Sequence, residues 1–133
     1  MSDHAHGTFD VTITPQPADD SGIGRLDLAK RWHGDLRATG TGLMLSAGDP
    51  TSGRAGYVAL ETVAGILHGR EGGFAFQQYG VMRGDERELR YGVVPGSGTG
   101  ALAGLEGTLT LTIDDDGTHT YDLDYSLDQV GQN

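Results

Sequence analysis

Residues 106–127 read EGTLTLTIDDDGTHTYDLDYSL, and this stretch decides the fold. Leu109, Leu111 and Ile113 alternate with Thr108, Thr110 and Thr112. After Asp115-Asp116-Gly117, Tyr121, Leu123, Tyr125 and Leu127 alternate with Asp122, Asp124 and Ser126. A period of two puts the apolar side chains on one face of a strand and the polar ones on the other. The Asp-Gly turn folds the two strands into an antiparallel hairpin. Such a hairpin has one wet face and one face that must be covered.

The same alternation recurs along the chain. Phe9, Val11 and Ile13 interleave with Thr8, Asp10 and Thr12. Strands are expected at 7–15, 24–33, 36–46, 55–68, 73–83, 87–94, 106–114 and 118–127. No segment carries a helical period; the best helical turn is the short Ala101–Leu105. Gly34-Asp35, Arg70-Glu71-Gly72-Gly73 and Gly84-Asp85-Glu86 read as further tight hairpins. Longer connections fall at 16–23, 47–54 and 95–106. Eight amphipathic strands in a meander must hide one face and two edges, and closure into an antiparallel up-and-down barrel does both. A two-sheet β-sandwich is the alternative. The chain of 133 residues fits a single domain over 1–133, with its ordered core at about 7–127.

Composition narrows the function. The net charge is −10 and the pI is about 4.6. A phosphate backbone or an anionic membrane surface repels such a chain, so neither nucleic acid nor membrane is an expected partner. The absence of Cys removes disulfides, thiol nucleophiles and Cys-zinc sites. The polar start, Met1–Gly7, reads as no signal peptide, and a cytoplasmic location is the default expectation. His4, His6, His33, His68 and His119 match no zinc spacing and read as surface residues, the first two in a mobile terminus. Asp114–Gly117 lacks the later ligands of a calcium loop. Gly96–Gly100 has no Lys after it and no Gly-x-Ser-x-Gly elbow, and reads as a loop closing one barrel end. No metal and no cofactor is expected.

A two-residue Gly34-Asp35 turn sets Trp32 opposite Arg37, Lys30 opposite Thr39, Leu28 opposite Thr41 and Leu26 opposite Leu43, and turns this face inward. If Arg70-Glu71 forms the next turn, Leu67 faces Phe74, Gly65 faces Phe76 and Val63 faces Gln78, with Tyr57, Glu61 and Met82 on the same inner face. The barrel interior then holds Lys30, Thr39, Thr41, Glu61 and Gln78 among Trp32, Tyr57, Phe74, Phe76, Tyr91, Tyr121 and Tyr125. A buried charge needs a partner, and Lys30 and Glu61 suit one another. Polar groups in an apolar chamber fit a small-molecule site, as they also fit a satisfied polar plug.

Several segments together resemble a bacterial family of unknown function with the allene oxide cyclase-like barrel. They are Trp32-His33-Gly34-Asp35-Leu36, Gly42-Leu43-Met44-Leu45-Ser46, Ala55–Glu61, Leu67-His68-Gly69-Arg70, Ser97–Gly100 and Ala103–Thr108. The resemblance covers about 7–127 and implies an eight-stranded barrel. More distant barrels of this shape (allene oxide cyclase, dirigent proteins, some polyketide cyclases) hold apolar substrates in the lumen and steer ring closure. The family resemblance itself supplies no activity; by fold alone, the more distant barrels imply a cyclase or isomerase and self-association into a homo-oligomer. It also implies Glu at the position of Leu43 and His at that of Gln78, both departures here. The expected site has Glu61 as general acid or base and Lys30 beside it. Trp32, Thr39, Thr41, Leu43, Tyr57, Phe74, Phe76, Gln78, Tyr91, Tyr121 and Tyr125 line the ligand. The alternatives are a non-catalytic carrier or sensor, and a packed barrel acting through its surface.

Overall fold

The alternating segments form eight long antiparallel strands, with one very short strand added, in a computed structural model that describes residues 2–127. In chain order they are β1 (Asp3–Pro15), β2 (Gly24–Gly34), β3 (Leu36–Asp49), β4 (Arg54–Leu67), β5 (Arg70–Arg83), β6 (Glu86–Val93), the two-residue β7 (Thr99–Gly100), β8 (Leu105–Ile113) and β9 (His119–Leu127). The short β7 pairs with the start of β5. Each long strand pairs with its neighbours among the long strands, and β9 returns to β1. The result is a closed up-and-down barrel and not a sandwich. No helix among the described residues is long and apolar enough to cross a membrane.

The strands run longer than the alternation alone indicates. β1 begins at Asp3, so His4 and His6 lie in a paired strand and not in a mobile terminus. The cause is β9, whose Leu123 and Tyr125 need a partner and find Ala5 and Asp3. β3 and β4 reach Asp49 and Arg54 and are joined by a single 3-10 turn, Pro50–Ser52, capped by the Asp49 carboxylate.

Two turns differ from expectation. The β4–β5 turn falls at His68-Gly69, with φ of 47° and 80°. Positive φ at both central residues makes this a type I′ hairpin, whose twist matches its strands. The register therefore sets Val63 opposite Phe74 and Glu61 opposite Phe76. This shift is even, so the same face stays inside: Tyr57, Glu61, Phe74, Phe76 and Gln78 point inward as expected.

The β2–β3 connection shifts by one residue. Trp32 pairs with Ala38, Lys30 with Gly40 and Leu28 with Gly42. An odd shift exchanges the faces of a strand. Thr39, Thr41 and Leu43 consequently lie on the outside of the barrel, and Ala38, Gly40, Gly42 and Met44 lie inside. The cause is a corner, not a hairpin. Asp35 N–H donates to His6 O at 3.0 Å, and Asp35 O accepts from His68 N–H at 3.1 Å. From inside, Tyr121 Oη accepts from Leu36 N–H and donates to His33 O, both at 2.9 Å. These partners hold one residue, Asp35, at the apex.

The two barrel ends differ. At one end, the loop after β6 tucks Leu102 over the lumen beside Leu36, Leu67, Leu105 and Leu123, as the Gly96–Gly100 reading expected. Below it, Trp32 packs on Phe76 at 5.3 Å and edge-on to Tyr121 at 5.1 Å, and Phe74 on Phe76 at 4.9 Å. Edge and tilted ring pairs of this kind fill a small barrel densely. At the other end, inward-facing Ile13 and Ile113 are 48% and 60% exposed, and Val11, Leu26, Met44, Met82 and Leu111 are half-buried. One end is packed and the other is open.

Candidate functional site

Lys30 and Glu61 sit where the packed half meets the open half. They are the two buried charged residues of the described chain, 8% and 3% exposed. β2 projects Lys30 inward two residues after Leu28 and two before Trp32. β4 projects Glu61 between Ala59 and Val63. Lys30 Nζ lies 2.9 Å from Glu61 Oε1. Trp32 Nε1 donates to Glu61 Oε2 at 2.9 Å. Lys30 Nζ also donates to Tyr91 Oη at 2.7 Å. The ammonium lies 4.8, 5.4 and 5.2 Å from the ring centroids of Phe9, Trp32 and Tyr91. An ammonium among aromatic faces gains electrostatic attraction that is strongest when desolvated. Among the described residues no buried side-chain polar atom lacks a partner.

Two glycines make room for this arrangement. A Cβ at Gly40 would fall inside the Glu61 carboxylate, and one at Gly80 would overlap the Tyr57 ring. The absent side chains let Glu61 and Tyr57 lie flat against the wall. One step toward the open end, Gln78 Nε2 donates to Tyr57 Oη at 2.6 Å. Burial pushes the hydroxyls of Tyr57 and Tyr91 up, and the Glu61 charge adds to the effect at Tyr91. Both remain protonated donors at neutral pH.

The seam between β6 and β8 gives a side approach. These strands share a single register pair, Gly92 with Thr108, and separate toward the open end. A cleft of about 480 Å³ lies between Leu89–Gly92 and Thr108–Leu111, with Tyr91 in its wall.

Of the expected site residues, Lys30, Trp32, Glu61 and Tyr91 are in mutual contact, with Tyr57 and Gln78 above them and Phe76 against Trp32 and Tyr91. Phe74, Tyr121 and Tyr125 belong to the packed half. Tyr125 Oη bonds His68 Nδ1 at 2.5 Å, and Tyr121 holds the β2–β3 corner. Thr39, Thr41 and Leu43 are outside. Phe9 was missing from the expected site although its strand alternation already placed it on an inner face; Met44 and Met82 join the open end through the corrected register and the β5 face.

The fold and this interior define a small antiparallel up-and-down barrel with one packed end, one open end and a buried ion pair at the boundary. The chain belongs to the DUF3224 family of proteins of unknown function, whose model matches residues 5–125. It is similar to the crystal structure of a DUF3224 protein of unknown function from Shewanella oneidensis MR-1. That chain is 40% identical with a TM-score of 0.86, over 96% of this chain and 99% of that one. No curated protein matches.

Proposed function

We propose that the open half of the barrel binds a small apolar or amphipathic molecule, with Lys30, Glu61 and Tyr91 at its floor and Tyr57 and Gln78 on its wall. The observation that carries this reading is the position of the ion pair. It lies not in the centre of the packed core but at the floor of a half-exposed apolar cup. The seam cleft of about 480 Å³ meets this cup at Tyr91; it is lined by Leu89–Gly92 and Thr108–Leu111, so it is a side approach to the site and not the volume of the cup itself. Met44, Met82 and Leu26 supply adaptable apolar wall, and the Tyr91 hydroxyl supplies a donor.

Binding is favoured over chemistry because both Glu61 oxygens are engaged, one by Lys30 and one by Trp32. A cyclisation or isomerisation step in this site runs through Glu61, which must first release Lys30 to move a proton. Glu61→Gln then abolishes turnover and leaves binding largely intact; undiminished turnover removes the catalytic reading.

The binding test uses Trp32, the single tryptophan. N-phenyl-1-naphthylamine, an uncharged apolar fluorophore, is expected to bind saturably and to take energy from Trp32. Ala59→Phe and Met82→Phe, which fill the cup without touching the ion pair, are expected to abolish the transfer while leaving the melting transition cooperative. Absence of saturable binding, or binding indifferent to both substitutions, overturns the proposal.

A further inference from the structure

The polar side chains of the cup carry more donors than they use. A lysine ammonium has three N–H groups and no lone pair, and a tyrosine hydroxyl has one hydrogen and two lone pairs. Lys30 Nζ donates to Tyr91 Oη at 2.7 Å, and Gln78 Nε2 donates to Tyr57 Oη at 2.6 Å. Each hydroxyl therefore gives a lone pair to a nitrogen donor and keeps its own hydrogen. Among the described residues neither hydroxyl donates a hydrogen bond in return. Glu61, the buried carboxylate beside them, already accepts from Lys30 at Oε1 and from Trp32 at Oε2. The two hydroxyls also lie close together. Gln78 stands opposite Tyr91 on β6 and opposite Ala59 on β4, and Tyr57 is the next inward residue of β4 toward the open end. Directly opposed side chains on one face of a sheet have Cβ atoms about 4.5–5.5 Å apart. Burial keeps both phenols protonated, and the Glu61 charge adds to this at Tyr91.

The charge of the cup is already balanced. Glu61 neutralises the Lys30 ammonium at 2.9 Å. An anion placed there gives up its hydration, meets no unpaired cation and lies in the field of Glu61. A hydrocarbon avoids that cost but leaves both O–H groups without an acceptor. A carbonyl oxygen is uncharged and has two lone pairs, one for each hydroxyl. We propose that the cup selects a neutral carbonyl compound, its oxygen between the Tyr57 and Tyr91 hydroxyls and its apolar body against Leu26, Met44 and Met82. The assignment rests on the open half being a binding site, and it names what that site prefers. Tyr57 and Tyr91 are then the residues that set specificity.

Three isosteric competitors test this by displacing N-phenyl-1-naphthylamine: 4-phenylbutan-2-one, 3-methylbutylbenzene and 3-phenylpropanoate. They share a phenylethyl body and end in acetyl, isopropyl or carboxylate. Dissociation constants are read from the loss of energy transfer from Trp32. The ketone is expected to bind about tenfold tighter than the hydrocarbon or more, because the hydrocarbon leaves buried donors unpaired. Apolar transfer alone gives the reverse order, since the hydrocarbon is the more hydrophobic of the two. The carboxylate is expected to bind weakest at neutral pH. Tyr91→Phe and Tyr57→Phe are each expected to narrow the ketone-to-hydrocarbon ratio, and the double change to reverse it. The ratio is taken within one variant, so a general change in the apolar wall cancels. Tyr79→Phe, whose hydroxyl lies outside the barrel on Glu88, is expected to leave the ratio as it is. A hydrocarbon that binds as well as the ketone overturns the carbonyl assignment, and so does a ratio indifferent to both inner tyrosines; saturable fluorophore binding then still supports the cup. A carboxylate that binds tightest overturns it in favour of an anion site at Lys30. No saturable fluorophore binding removes the cup and this assignment together.

Discussion

At the residue scale, the Lys30–Glu61 pair is held by a complete set of partners and has little to do with surface ion pairing. Taking one member away leaves the other charged, buried and uncompensated, a change that typically costs about 3–5 kcal/mol. Lys30→Met is expected to destabilise the barrel by that amount in urea unfolding. Lys30→Met with Glu61→Leu is expected to recover part of it, because the two apolar side chains need no partners while Trp32 Nε1–H and Tyr91 Oη lose theirs. A double variant as unstable as the single one would show that the aromatic contacts of the ammonium, not the ion pair, carry the stability. Tyr121→Phe removes the hydroxyl that satisfies Leu36 N–H. A buried amide left without a partner costs about 1–3 kcal/mol, and the loss is read in the same experiment.

At the scale of elements, the strand pairs are unequal. β3–β4 and β4–β5 pair over their full lengths, whereas β6–β8 share one register pair. Amides without a ladder partner open to solvent at low free energy. Amides of Glu86–Arg90 and Leu109–Ile113 that face the seam are therefore expected to exchange hydrogen much faster than those of β4, by orders of magnitude in a deuterium exchange time course. A ligand in the open half that touches Tyr91 slows this exchange; uniform protection along β6 and β8 contradicts the open seam. The Asp35 corner is a second local device. The His6 N–H, donating at 2.8 Å, is the main reason that the Asp35 carboxyl is held below the ordinary carboxylate value of 3.8, with the nearby His68 contributing.

For the whole molecule, the same logic sets the response to acid. Asp19, Asp35, Asp49 and Asp116 each accept bonds in a turn, and each is held below 3.8. The unfolded chain therefore takes up protons before the folded one does. Stability from these groups is fully present above about pH 5, and it is lost as pH falls through 3.8 toward the lower folded values. Thermal melts between about pH 5 and about pH 2.5 are expected to show this decline, and Asp35→Asn is expected to flatten part of it. An unchanged acid limb in that variant would assign the loss to the other turns. The net charge of −10 acts in the opposite sense, since acid relieves self-repulsion, so the decline is clearest at moderate salt, where that term is screened.

Much of the fold was legible because alternation is a local property. Each strand carries its own period of two, and a set of amphipathic strands joined by short turns has few ways to cover its faces and edges other than closure. The chain also identified Lys30 and Glu61 as partners, since two charges on inner faces have nowhere else to go. What it did not determine was the register across the β2–β3 corner. A one-residue difference there is invisible to alternation, because both faces of β3 are small and weakly apolar, with Ala38, Gly40 and Gly42 against Thr39, Thr41 and Leu43. The decision came from residues distant in sequence: the Tyr121 hydroxyl, the His6 backbone and the His68 amide, which together hold Asp35 at the apex. The division of the barrel into a packed and an open half was likewise settled only in three dimensions. It depends on Leu102 folding over one end and on the splayed β6–β8 seam, and neither long-range packing nor a missing ladder leaves a periodic trace in the sequence.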